Sequence, residues 1–277
     1  MSPTLHGVDF SSRPGPRKPI VVASGELDGT RFTLQGLSEL ASLDAFAAWL
    51  AQPGPWLAGF DFPFSLPREF VQGSGWPARW PELMQHLRRH SRAELRGIFK
   101  AWCDARPSGS KFAHRAADLL AGASPSMRWV NPPVAWMLFE GAPRLLDTGV
   151  DLPGLHRGDP LRVALEAYPG VVARRITRAS YKSDDRARQT PARREARQHI
   201  LHALQQGMPL GIVLDAAPAL CSRLLDDASG DALDATICAM QAAWGWQRRA
   251  AGYGLPADAD PLEGWIVSVE VPGSQPG

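Results

Sequence analysis

Two short apolar runs in this chain each end on a lone aspartate: GVDFSS at 7–12 and GFDFPF at 59–64. An ionised carboxylate at the end of a packed strand is costly unless something pairs with it. Placing it twice in the same local pattern implies that Asp9 and Asp61 share a partner. It also restricts the fold, because the two strands must deliver their carboxyl ends to one place.

The surrounding pattern supplies such a sheet. LHGVDF, PIVVASGEL and TRFTLQGL read as three strands separated by Pro, Gly and Asp turns, with RPGPRKP as a long hairpin loop. LSELASLDAFAAWLAQ spaces Leu40, Leu43, Phe46, Ala47 and Leu50 as a helix does, and Pro53-Gly54-Pro55 stops it. WLAGFDF is a fourth strand ended by Pro63. Residues 76–158 change to helical pieces with tryptophans, arginines and proline breaks, an insertion or cap. LRVALEAY resumes the strand pattern, and helices follow, among them a basic one over 191–206 and one at DALDATICAMQAAW. EGWIVSVEV reads as a strand-like tail. The expectation is an α/β fold over 1–277 as a single domain: a mixed sheet of three antiparallel and then parallel strands, with flanking helices and a largely helical insertion.

A hydrophobic content of 44% in 277 residues supports a substantial core. Nothing at the N-terminus resembles a signal peptide, and no run approaches the ~18–20 apolar residues of a membrane span. Cys103, Cys221 and Cys238 are scattered without CxxC spacing, so the expectation is a cytoplasmic protein with reduced thiols and no membrane partner. The net charge of +2 hides an asymmetry: 87–115 and 174–197 each carry +6, leaving −10 for the rest. That division suits a polyanion-binding surface beside an acidic site, and equally two solvated helix faces.

The acids fall on this map in a pattern. Asp9, Asp61 and Glu166 each stand near the carboxyl end of a strand, where open α/β sheets bind ligands. On the late helix Leu233, Ile237, Met240 and Trp244 form an apolar stripe. Asp227, Asp231 and Asp234 lie opposite, and that side continues as Ala235, Cys238 and Ala242, small enough for close packing on the sheet. Carboxylates converging without histidine suit a hard cation, Mg²⁺ or Mn²⁺. Asp9, Asp61, Asp231 and Asp234 are the candidate ligands, and two ions about 4 Å apart would clamp an in-line phosphoryl displacement. Two alternatives stay open: Asp231 as an N-cap, Glu166 as the partner of a nearby arginine.

In this order GVDFSS, FDFPFSLP, LEAYPG, SYK, DALDA and EGWI resemble a domain-of-unknown-function family of predicted RNase H-fold nucleases, and the Asp231-Ala-Leu-Asp234-Ala235 helix is similar to that of the Holliday-junction resolvase branch. The resemblance runs from about Gly7 to Ile266. It implies metal-dependent phosphodiester hydrolysis of nucleic acid, DNA or RNA, with Asp9, Asp61 and Asp231 or Asp234 as ligands and Glu166 and Lys182 as further catalytic candidates. Glu39 and Asp44 do not stand in the place of the usual RNase H helix glutamate, so cleavage of RNA–DNA hybrids is not implied.

P-loop, Rossmann and hydrolase-elbow motifs do not occur. Two alternatives accompany the nuclease reading. One is an ATPase or sugar-kinase-like phosphotransferase of the same fold, whose glycine-rich phosphate hairpins this sequence lacks. The other is a catalytically silent nucleic-acid-binding module.

Overall fold

GVDF and GFDF, distant in sequence, lie side by side. In the computed structural model, which describes residues 2–271, β1 (Thr4–Asp9) pairs in parallel with β4 (Trp56–Phe60), and Gly7 sits opposite Gly59. Between them in the chain, β2 (Ile20–Asp28) and β3 (Arg31–Leu40) extend the sheet antiparallel from β1, and α1 (Leu43–Leu50) returns the chain to β4. The expected helix thus starts later than its hydrophobic spacing suggested. Leu37–Leu40 continue β3, whose outer half faces solvent, and Ser42 caps α1 by accepting from the Ala45 amide at 3.0 Å.

After β4 come α2 (Arg68–Gly73), α3 (Trp80–Arg88), α4 (Arg92–Asp104), α5 (Ala116–Ala121) and α6 (Val134–Thr148). The buried side chains of α2, α3, α4 and α6, among them Phe70, Trp80, Leu95, Phe99 and Leu138, join Val8, Val22, Phe46 and Phe60 in one apolar layer, while Ala117 and Ala121 of α5 belong to the layer on the other face. The helical insertion is therefore a face of the sheet's own core. Its tryptophans serve that layer: Trp80 is buried and donates to the Phe64 carbonyl at 2.8 Å.

The chain then adds β5 (Val150–Asp151) and β6 (Asp159–Glu166), α7 (Pro169–Ile176), α8 (Pro191–Gln205), β7 (Val213–Ala216), α9 (Pro218–Asp226) and α10 (Asp231–Gln247). The sheet order is β5-β6-β4-β1-β2-β3-β7, with β2 antiparallel to both β1 and β3 and the remaining pairings parallel. β7, within GIVLDA, has no counterpart among the strands expected from sequence: it is short and sits at the sheet edge beside β3. The EGWIVSVEV tail, expected to be strand-like, makes only a single bridge to the sheet, Glu166 with Ile266, and otherwise turns.

α10 crosses β1, β2 and β4 on the face opposite the insertion, and its residues Asp231–Gly245 are all buried. The approach is close enough to dictate sequence in the strands. A Cβ on Gly7 would fall 2.0 Å from the Ala235 carbonyl oxygen, and one on Gly59 would fall 2.4 Å from that of Cys238. Glycine in the strands and Ala235, Cys238 and Ala239 on the helix together bring backbone against backbone. The apolar stripe of Leu233, Ile237, Met240 and Trp244 belongs to the second core layer, together with Val171, Val172, Ile200 and Leu224.

Candidate metal centre

Strand parity decides which acids meet. Val8 and Phe60, opposite one another in the β1–β4 ladder, point into the insertion-side layer. Their successors Asp9 and Asp61 therefore turn to the other face, toward α10. The Asp61 amide donates to the Val8 carbonyl at 2.9 Å, carrying the parallel pairing one residue beyond β4. Asp234, one turn into α10, completes the group: one carboxylate oxygen each from Asp9, Asp61 and Asp234 lie within 4.8 Å of one another.

Two cations neighbour the acids. The Lys182 ammonium pairs with Asp234 Oδ2, and the Tyr181 hydroxyl donates to Asp234 Oδ1 at 2.6 Å. Lys18, from the RPGPRKP loop, donates to Asp231 at 2.8 Å and to Asp184 at 2.6 Å. Asp231 is thus engaged by Lys18 at the first residue of α10 and lies outside the close trio. It does not cap the helix either, since Gly230 holds that position with φ 81° and the Asp227 carboxylate accepts from the Ala232 amide at 2.8 Å.

Glu166 is placed differently from the sequence expectation of a third strand-end acid in the site. It lies opposite Phe60 and so shares Phe60's face, whereas Ala167 occupies the parity of Asp61. There it meets Arg115: the guanidinium donates to Glu166 at 2.5 and 2.7 Å, to Asp118 at 2.7 Å and to the Glu263 carbonyl at 3.1 Å. All three charged side chains are buried, and Glu166 also accepts from the Phe64 amide at 2.9 Å. The alternative of an arginine partner is the arrangement found. Burial raises the Glu166 carboxyl, and Arg115 opposes that rise.

Two carboxyls of the trio, Asp9 and Asp61, sit above their ordinary range, as acids buried beside like charge do. Burial pushes Asp61 up to about 7, against the pull of Lys182 and with the help of Asp234. Asp9 is raised well above the ordinary carboxylate range, by burial first and then by Asp231 and Asp234. Asp231 is raised by burial despite Lys18. Lys182 is driven up, its burial outweighed by Asp234, Tyr181, Asp9 and Asp61. Cys238, beside the acids on α10, has its thiol pushed well up by burial and by Asp61, Asp234 and Asp9, so it does not offer a thiolate.

Lys18, Tyr181 and Arg115 were not singled out from the sequence as site or neighbouring groups. Tyr181 precedes Lys182 in the SYK stretch, and a lysine in a loop between two strands, directly after a strand-end aspartate, was the available signal for Lys18. Several members of the basic segments make internal contacts. Arg88 pairs with Asp147, Arg92 with Glu140 and Arg194 with Asp226, and buried Arg197 donates to the Leu225 and Tyr181 carbonyls at 2.9 and 2.7 Å. Arg197 thereby fastens the segment that carries Lys182.

The sheet order and the buried acids shared by two neighbouring strands and a crossing helix define an RNase H-like fold with an acidic centre. The chain belongs to the family described as protein of unknown function (DUF429), which it matches over residues 7–260. No curated protein and no solved structure matches it. Among the described residues no helix is long and apolar enough to cross a membrane.

Proposed function

We propose that this protein is a Mg²⁺- or Mn²⁺-dependent nuclease that hydrolyses phosphodiester bonds. The observation that carries the reading is the trio of Asp9, Asp61 and Asp234, with ligand oxygens within 4.8 Å and no histidine or cysteine among them. An all-oxygen donor set that is short of positive charge fits a hard divalent cation. Such a cation, when bound, activates water and neutralises charge on a phosphoryl oxygen.

The chain's own residues supply the rest. Tyr181 fixes the rotamer of Asp234 through one oxygen, leaving the other to Lys182 or to a cation. Lys182, turned from Asp234 toward substrate, is the group to hold a non-bridging phosphoryl oxygen. Asp231, released by Lys18, is the acid available to a second ion. Arg174 and Arg178 line the cleft beside Asp61 and Lys182 and give a phosphate chain its path to the acids.

The test is incubation of labelled single- and double-stranded DNA and RNA with Mn²⁺, Mg²⁺ or chelator, comparing wild type with Asp9→Asn. Metal-dependent cleavage lost in the variant supports the reading. Nucleotide triphosphate turnover in place of cleavage assigns the phosphotransferase alternative, and polyanion binding without either assigns the silent binding module.

A further inference from the structure

Two clefts meet at Asp61 and share Tyr168, yet their linings differ in charge. The first has an empty volume of about 430 Å³, open mouth included, with Phe62, Pro63, Val134 and Met137 along its walls. Its charged groups are Asp61, Asp118, Glu166 and Arg115, three carboxylates to one guanidinium. Arg115 already donates to Asp118, Glu166 and the Glu263 carbonyl, so it is committed within the protein. The second cleft, about 650 Å³ with its mouth, sets Arg174, Arg178 and Lys182 against Asp61 alone.

This division sorts the parts of a nucleotide. A phosphate entering the first cleft meets net negative charge, and in the second it meets net positive charge. A neutral planar group with apolar faces suits the first cleft, which even with its mouth is far too small for a duplex. We propose that the first cleft receives a nucleobase of the strand whose phosphate lies at the acids, and that the second carries the neighbouring phosphate. This deepens the nuclease reading and rests on it. A base can enter only if it is unstacked, so the substrate is a single-stranded stretch, or a duplex that yields one flipped base.

Binding without divalent metal tests this separately from catalysis. A fluorescent twelve-residue thymidine oligomer and an abasic oligomer with the same phosphates are titrated in chelator. One seated base is expected to give the thymidine oligomer about tenfold tighter binding. Val134→Trp, which fills the cleft, should remove that contrast, and Met137→Trp should repeat the effect if the first variant is poorly folded. Mn²⁺ titration and thermal melting of the same variants report that the acids and the fold are intact. Equal affinity for both oligomers in the wild type, or a contrast surviving in both well-folded variants, overturns the base cleft. Base contrast without any Mn²⁺-dependent cleavage would overturn the nuclease reading and leave the cleft standing.

Discussion

Gly7 of β1 lies opposite Gly59 of β4, and α10 runs so close over both that neither position has room for a methyl group. The acids two residues further along each strand reach Asp234 because of that approach. Gly7→Ala or Gly59→Ala must push the helix backbone away from the sheet. Since overpacking that side chains can absorb costs about 1–3 kcal/mol, a clash with backbone is expected to reach about 3 kcal/mol or more. Urea denaturation measures it, and a loss under about 1 kcal/mol would show that α10 is free to shift.

Without metal, stability should depend on pH through the same acids. Asp61 stands at about 7 in the fold against an ordinary value of 3.8, and Asp9 is also raised. The folded protein therefore keeps protons that the unfolded chain has released, and its stability falls as pH rises through about 7. Asp9→Asn should flatten that fall and raise the melting temperature of the metal-free protein at neutral pH. Thermal melts from pH 5 to 8 in chelator test it; a variant less stable than wild type throughout would make Asp9 a structural pairing group.

Glu166 and Arg115 form a buried ion pair that lines the cleft beside Asp61 without joining the close trio, and their substitutions should separate from those of the trio. Arg115→Met leaves Asp118 and Glu166 buried without their cation and should cost about 3–5 kcal/mol. Glu166→Gln should lower stability while leaving Mn²⁺ affinity within about twofold of wild type, since each tenfold corresponds to about 1.4 kcal/mol of direct interaction. Calorimetric titration with Mn²⁺ decides this, and a tenfold loss of affinity in Glu166→Gln would return Glu166 to the metal centre.

Lys182 competes with a cation for Asp234, so its removal should split binding from turnover. Lys182→Met is expected to bind Mn²⁺ more tightly and to cleave nucleic acid more slowly. Tighter binding follows from losing a neighbouring positive charge, slower cleavage from losing the contact to the phosphoryl oxygen. Weaker metal binding in the variant would instead make Lys182 a support for the acids.

Asp9, Asp61 and Asp234 were legible in the sequence because a carboxylate that ends an apolar run, or sits on the small-residue side of a buried helix, is too costly to keep without a partner. The β-β-β-α-β order was legible from the alternation of the strands and the proline stop, which leave little freedom. Parity was the missing step. Aligning LEAYPG with GFDFPF by register would have set Ala167 beside Asp61 and turned Glu166 away, but register depends on pairing that a single sequence does not display. Lys18 and Arg115 come from a loop and from the start of a short helix, and only the folded chain brings them to Asp231 and Glu166. Charge counting left a polyanion surface and solvated helix faces equally open; what it does not register is that Arg197 is buried and that Arg88, Arg92 and Arg194 pair with nearby carboxylates.

The most direct measurement is anomalous diffraction from crystals soaked in Mn²⁺. The account predicts a peak at about 2.0–2.3 Å from one oxygen each of Asp9, Asp61 and Asp234, with the Lys182 ammonium turned away from Asp234. A structure at saturating Mn²⁺ with no peak among these three carboxylates, and with Lys182 still paired to Asp234, would contradict it.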